Sequence, residues 1–396
     1  MAVHATGNQQ HAVPNLVTKL LSWFSTHARD LPWRRTRDPY AIWISESMLQ
    51  QTQVKTVIPY WERWMRELPT IRAAAQASPG KLHKLWEGLG YYTRVRNLQR
   101  AAQQIIAQHE GRFPENFDDI LALPGVGRYT AGAIASIAFH QPRPILDGNV
   151  VRVLTRIFGI TTDPREKKTN AQLWRITEEL VHYASRITST LRSPPSAELL
   201  RRTGATEDGH HASSCSRLNQ SLMELGALIC TPRSPRCELC PVNRLCVARH
   251  RGWQAELPKI GRRETATARR FIAFVVERRG RFLVRQRPAG VVNAHLWEFP
   301  NVEIGARHSG PQRVVTADSA GFHFTEVKPF TIIKHSITRY RITLAAHRAE
   351  LANSRSKPGG HWLSRRQLAR RAFSSAHKKI LSRIGAPSTA SARHHK

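Results

Sequence analysis

Acidic residues are scarce in this 396-residue chain, where 28 Asp and Glu stand against 61 Lys and Arg for a formal net charge of +33 at pH 7. The basic residues run along the whole length, so a polyanion is the first expected partner. Long apolar runs are absent too. No stretch approaches the roughly 18 residues of a spanning helix, and the mean hydropathy is −0.42. That excludes an integral membrane protein. Residues Met1 to Asn15 contain no basic segment followed by an apolar one, so nothing signals export and a cytoplasmic, nucleoid-associated location is expected. Cysteine is rare, with five in all. Four of them fall within residues 230–246 and Cys215 stands apart, which is too few and too clustered for a disulfide framework. Clustered thiols in a reducing compartment point to a metal.

The length and the 41% hydrophobic content suit two or three domains, each with its own core. Residues 1–14 read as a flexible arm. From Asn15 to about Arg251 apolar residues recur at three and four positions, predicting an almost wholly helical region. Met48, Leu49, Thr52, Val57 and Trp61 read as one such segment. Within the region, 187–216 loses the period and collects Pro194, Pro195, Gly204 and Gly209, so it reads as a loop insertion. Residues 251–268 suit a linker. Beyond them, Phe271–Val276 and Arg281–Gln286 predict strands joined as a hairpin across Glu277–Gly280, and Pro329–Leu344 predicts further strand. The second domain, 269–384, is therefore expected to be α+β. A basic tail, 385–396, is expected to be disordered. No internal repeat is present.

Four segments carry chemistry. Leu123-Pro-Gly-Val-Gly-Arg-Tyr-Thr-Ala131 sets Gly125, Val126 and Gly127 between one helix and the next, where backbone N–H groups can hold a phosphate oxygen. This is the helix-hairpin-helix pattern of backbone-directed DNA binding; an ordinary helix–helix turn is the bland alternative. Asp147, in Pro144-Ile-Leu-Asp-Gly-Asn-Val150, precedes a helix. There it can cap that helix, for about 1 kcal/mol, and also face a developing cation on a deoxyribose. Glu46, in Trp43-Ile-Ser-Glu-Ser-Met-Leu-Gln-Gln-Thr-Gln-Val54, reads as a residue near a helix start, where the dipole favours a carboxylate. Gln50, Gln51 and Gln53 add amides suited to base edges. The spacing Cys230-x6-Cys237-x2-Cys240-x5-Cys246 selects either zinc or an iron–sulfur cluster. Only one short knuckle is present, whereas structural zinc sites usually carry two. Arg233, Arg236 and Arg244 lie between these cysteines and can present cations to phosphates.

Taken in order, LPW (31–33), SESMLQQTQV (45–54), GLGYY (88–92), LPGVGRYTAGAI (123–134), ILDGNV (145–150) and NQSLMELGALIC (219–230) resemble the helix-hairpin-helix DNA glycosylase superfamily, and within it the adenine-specific, MutY-type branch. The resemblance covers most of residues 15–250. It implies an all-α glycosylase region with a [4Fe-4S] loop, followed by an α+β Nudix-like domain. The helical region would comprise a six-helix lobe, about 31–142, and a cluster lobe of 15–30 plus 143–250. Cys230, Cys237, Cys240 and Cys246 would hold the [4Fe-4S] cluster, with zinc the lesser reading. Double-stranded DNA with adenine opposite 8-oxoguanine or guanine would be the partner, bound by a monomer and not by a membrane-attached form.

The resemblance also assigns roles. A protonated Glu46 would donate to adenine N7, and an ionised Asp147 would stabilise the sugar cation, in the two-carboxylate logic of glycoside hydrolysis. Tyr129 and Asn149 would hold these carboxylates. Trp33, Arg34 and Glu224 would line the pocket for the flipped base, and Gln51 and Tyr91 would fill or wedge the opened stack; large aromatics such as Trp33 and Tyr91 are otherwise core residues. A Lys in the helix after the hairpin marks lyase-competent relatives of the endonuclease III kind; here that position is Tyr129, which implies base release without strand cleavage. In the C-terminal domain Gln286-Arg-Pro288 and Leu296-Trp-Glu-Phe-Pro300 carry the likeness, yet the residues after Pro300 lack the Glu-rich helix that pyrophosphohydrolysis needs. Reading of the base opposite adenine is implied instead. The loop that serves this in relatives has Thr338 and Arg339 at the corresponding place, and Ala294-His295 replaces a usual Gly-Gly. The competing classes are a non-catalytic DNA-binding protein on the same scaffold and an endonuclease III-like lyase.

Overall fold

Caps and prolines decide where the helices begin. In the computed structural model, residues 9–187, 213–261, 265–304, 322, 324–337, 339–351 and 360–384 are described. Asp38 accepts the Tyr40 N–H and Pro39 opens α2 (Pro39–Leu49); Ser78 accepts the Lys81 N–H and Pro79 opens α5 (Pro79–Leu85). The remaining helices of the region are α1 (Gln9–His27), α3 (Val54–Glu67), α4 (Ile71–Gln76), α6 (Thr93–Gln108), α7 (Phe117–Leu121), α8 (Arg128–Ile137), α9 (Gly148–Phe158), α10 (Lys167–Ile187), α11 (Ser214–Leu228) and α12 (Val247–Arg251). Among the described residues no helix is long and apolar enough to cross a membrane.

Three details depart from the periodicity. Helix α1 starts at Gln9, inside the stretch read as an arm, because Gln9-Gln10-His11 has no apolar residue to reveal it. The segment read as continuous from Met48 to Trp61 is two helices, broken at Gln50–Gln53 where Gln51 adopts a left-handed φ of 57°. Helix α11 begins within the expected insertion, capped by Ser213; most of that insertion, and the arm before Gln9 and the C-terminal tail, lie outside the described residues.

The chain divides into two compact units: residues 1–76 with 97–262, and residues 77–96 with 263–396. In the first, α1, α8, α9, α10 and α11 close over Leu16, Leu20, Ile145, Val150, Leu154, Leu180, Leu218 and Leu222. Each such side chain contributes about 1.5–3 kcal/mol by leaving water. Gly226 on α11 brings the start of α9 close, since a Cβ there would stand 2.6 Å from the Asn149 Cβ.

Among the described residues the second unit has two four-stranded sheets. One has the order β5 (Asn301–Ile304), β1 (Thr267–Val275), β7 (Tyr340–Leu351), β6 (Phe324–Ile337), with β1 and β7 parallel and the other pairs antiparallel. The other runs β2 (Glu277–Arg278), β3 (Arg281–Gln286), β4 (Trp297–Glu298), with β8 (His361–Ser364) on β3. Helices α13 (Arg365–Ala369) and α14 (Ser375–Ile384) belong to it, as does α5. The C-terminal part of β1 is buried on both faces: Ala273 and Val275 enter one core, Ile272 and Phe274 the other. The expected hairpin is correspondingly smaller. Glu277–Arg278 pairs with β3 across the left-handed Arg279 and Gly280, one further bond runs from the Leu283 N–H to the Val276 carbonyl, and β1 itself joins β5 and β7.

Candidate active site and metal centre

Glu46 sits in the last turn of α2, not near its start, because Asp38 and Pro39 open the helix well before it. The dipole at that end opposes a negative charge, so the structure removes the bland reading of a dipole-favoured acid. Its side chain is buried, and the Tyr129 hydroxyl donates to Glu46 Oε2 at 2.6 Å. Burial, with a smaller contribution from the Asp147 charge, pushes the Glu46 carboxyl up to about 7. The Tyr129 hydrogen bond and Arg34 act in the opposite direction. A carboxyl so placed is substantially protonated at neutral pH.

Asp147 is the N-cap of α9, accepting the Val150 N–H at 2.7 Å through Oδ1. Its other oxygen accepts from Asn149 Nδ2 at 3.0 Å. Burial raises its pKa, while the hydrogen bonds from Val150 and Asn149 oppose the rise. Asn149 is itself fixed by Arg152, whose Nη2 donates to Asn149 Oδ1 at 2.7 Å and to the Gly226 carbonyl at 2.8 Å. Arg152 Nε reaches the Cys230 carbonyl at 2.8 Å. One guanidinium therefore ties the first cysteine's backbone to the group that holds Asp147.

Glu224 is buried and takes hydrogen bonds from Arg29, at 2.8 Å to each oxygen, and from Arg34 at 3.0 Å. Burial pushes its carboxyl up, but the Arg29 and Arg34 interactions outweigh this and hold it at about 2. Arg34 also donates to the Arg29 carbonyl. Trp33 is buried edge-on against Trp61. Gln51 is exposed at the break between α2 and α3. In the hairpin between α7 and α8, Gly125 takes φ 79° and a Cβ there would meet Asn97 at 2.7 Å. Gly125 and Gly127 are exposed, Val126 is buried, and no side chain caps the α8 N-terminus.

Tyr91 belongs to the other compact unit. It is 48% exposed with φ 46°, and the Arg94 guanidinium lies 5.8 Å from its ring. In the same unit, Arg339 at the β6–β7 turn lies 5.4 Å from the Tyr340 ring, and Thr338 lies outside the described residues. His295, standing where the resemblance has glycine, adopts φ 67°, as does nearby Asn293 at 60°. That conformation is one glycine takes freely and histidine does not.

Cys230, Cys237, Cys240 and Cys246 line one cavity with Val153, Arg156 and Asn243. Arg156 is buried and donates to the Thr231 carbonyl at 2.8 Å and to Cys230 Sγ at 3.3 Å, and its own carbonyl faces Cys246 Sγ at 3.4 Å. Burial pushes the Cys240 thiol up to about 12 and raises Cys246, each also feeling the neighbouring thiols. Four thiolates therefore need cations among them. Among the described residues no three Cys, His, Asp or Glu side chains gather closely enough to hold a single metal ion. The donor set is four cysteine sulfurs lining one cavity, the ligand type that holds iron–sulfur clusters. Arg233, Arg236 and Arg244 are exposed, and Cys215 is buried elsewhere, beside Ser213.

Sequence reasoning missed Arg29, Arg152 and Arg156. For the last two a signal existed. Three and seven residues beyond Asn149, they repeat the period of the face of α9 that carries it.

Three family profiles match the chain: the HhH-GPD superfamily base excision DNA repair protein over residues 44–179, the iron–sulfur binding domain of endonuclease III over 230–246, and a NUDIX domain over 272–383. The chain is 33% identical to the adenine DNA glycosylase of Rattus norvegicus, over 91% of this chain and 76% of that protein. It is 32% identical to the Homo sapiens adenine DNA glycosylase, over 91% and 72% respectively. Among solved structures, a thermostable thymine-DNA glycosylase superposes with a TM-score of 0.50 at 29% identity, covering 61% of this chain and 99% of that one.

Proposed function

Since the chain belongs to the adenine DNA glycosylases, we propose that it releases adenine opposite 8-oxoguanine or guanine, acting as a monomer on duplex DNA and leaving the strand uncut. The observation that carries this reading is a pair of carboxyls that feel one another, Glu46 buried and Asp147 half-buried, with different hydrogen-bond partners. Glu46 is lifted to about 7, and Asp147 is held by two donors. Such a pair supplies an acid and an anion in one site.

The chemistry is hydrolysis of the N-glycosidic bond. Glu46 gives its proton to N7 of the extruded adenine, and the C1′–N9 bond breaks with its electron pair passing to the base. Ionised Asp147 faces the positive charge left on the sugar. Water adds at C1′ and returns a proton to Glu46, so the protein ends as it began. Tyr129 holds Glu46 in place through its hydroxyl, and Asn149 does so for Asp147 through its amide. The position after the hairpin carries no amine, and this supports release without Schiff-base cleavage. Exposed backbone at Gly125 and Gly127 and the uncapped α8 N-terminus suit a DNA phosphate.

Cys230, Cys237, Cys240 and Cys246 hold a [4Fe-4S] cluster. When bound it supplies the charge that neutralises the thiolates and the cross-link that fixes the 230–246 loop. Thr338 and Arg339 in the C-terminal domain are proposed to meet the base opposite adenine, supported by the place of Arg339 at the turn between β6 and β7.

The defining test is single-turnover base release from duplexes with adenine opposite 8-oxoguanine, guanine, cytosine or thymine, with and without alkali. Two variants test the supporting residues. Tyr129→Phe removes a donor that favours ionised Glu46, so the Glu46 pKa rises. Activity that needs protonated Glu46 falls as pH rises through that pKa, and in Tyr129→Phe the fall moves to higher pH. Arg152→Met frees the Asn149 amide, and we expect about 10-fold slower release with the cluster absorbance retained; an unchanged rate would remove Arg152 from the account.

A further inference from the structure

The turn bearing Tyr91 is conformationally costly and is held from outside by a buried acid. Gly88, Gly90 and Tyr91 all take left-handed φ values, 113°, 73° and 46°. Within the turn, Trp86 Nε1 donates to the Gly90 carbonyl at 3.1 Å, and Arg94 Nη2 to the Leu89 and Gly90 carbonyls at 2.9 and 3.1 Å. Immediately before it stands Glu87, with a side chain only 5% exposed. Its Oε1 accepts the Phe373 backbone N–H at 2.9 Å, and its Oε2 accepts from Lys84 at 2.8 Å and Lys378 on α14 at 2.9 Å. Lys84 in turn donates to the Arg371 carbonyl. The anchor is stiff: Phe373 bridges to Trp297, and Trp297 N–H reaches the Ala372 carbonyl at 2.8 Å. His83 on α5, buried and stacked on His295, ties α5 to a second segment of the same domain, the turn that precedes β4. Residues 77–96 thus share a compact unit with the C-terminal domain, although in sequence they lie amid the helical region.

We propose that Glu87 is a positioning residue through which the Phe373–Lys378 segment fixes the Gly88–Tyr92 turn, so that the C-terminal domain sets the pose of the Tyr91 ring as well as contacting the opposite base. This rests on the reading above that Tyr91 enters the opened duplex. Without the carboxylate the turn keeps its internal hydrogen bonds but loses its fixed base, and the ring samples more orientations.

The test uses the full-length protein as Glu87→Ala, Tyr91→Ala and the double variant. Two signals are read: adenine release from an adenine·8-oxoguanine duplex, and the fluorescence rise of 2-aminopurine placed beside the target as the stack opens. Glu87→Ala is expected to slow release about 10-fold and to shrink the fluorescence rise, with cluster absorbance unchanged. In the Tyr91→Ala background the same substitution is expected to cost less than about 2-fold, because its route of action is already gone. Glu87→Gln, which keeps an acceptor for Phe373 N–H, should fall between. If Glu87→Ala does not fold, Lys378→Met takes its place in the cycle. Losses that multiply in the double variant, or a Glu87→Ala protein as fast as wild type, overturn the proposal. If wild type gives the fluorescence rise without releasing adenine, the glycosylase reading fails while the cycle is still decided on fluorescence. If it gives no rise at all, Tyr91 opens no stack and the positioning role falls with it.

Discussion

Glu46→Gln is expected to lose about 1,000-fold or more in single-turnover adenine release and, at pH 8, to be more stable than wild type. The loss follows because an amide cannot supply the proton that the departing base needs, and general acid catalysis is worth roughly 10²–10⁴-fold. The gain in stability comes from the same burial. The Glu46 carboxyl titrates at about 7 in the folded protein against an ordinary 4.5. A raised carboxyl pKa gives stability that is fully present below 4.5 and is lost as pH rises through 7. Above that pH the buried charge costs of the order of 3 kcal/mol. The difference in Tm between the two proteins should therefore widen from pH 5 to pH 7 and then level. A variant that is inactive and also less stable at pH 8 would show that Glu46 is a structural group.

Asp147→Asn is expected to slow release about 1,000-fold with little change in Tm. Asn caps a helix as well as Asp does, so the α9 start survives, while the anion facing the sugar cation is gone, a loss of the size seen when a single electrostatic stabiliser is removed. Asp147→Ala should be equally slow and about 1 kcal/mol less stable, because the cap is lost as well. The Asp147 charge also helps to raise Glu46. Residual activity in Asp147→Asn should accordingly fall off at lower pH than in wild type. Retention of more than about a tenth of the wild-type rate would leave Asp147 as a cap alone.

Local signals carried much of this site. Asp147 could be read as cap and anion at once because both roles need the same carboxylate just before α9, and the four cysteines announce a centre by spacing alone. Glu46 stands out by its company, but its sequence surroundings suggest a helix start where the structure has the last turn of α2. The start at Asp38–Pro39 was the stronger signal, and the apolar run across Gln50–Gln53 hid the break. Arg152 and Arg156 were passed over since a basic residue on a basic chain does not stand out; only the fold turns α9 toward the Cys230 carbonyl. Glu87 was invisible for a different reason. Its partners Phe373 and Lys378 lie 286 and 291 residues away, and no periodic pattern links them. Strand β1 was recognisable as strand, yet its pairing with β7 depends on contacts far along the chain.

The most direct test of the whole account is single-turnover product analysis with the wild-type protein on the four adenine-containing duplexes. The account predicts free adenine from the 8-oxoguanine and guanine mispairs only, with strands that break on heating in alkali and stay intact without it. Binding to these duplexes with no adenine released from any of them would contradict it, and the scaffold would then be that of a DNA-binding protein.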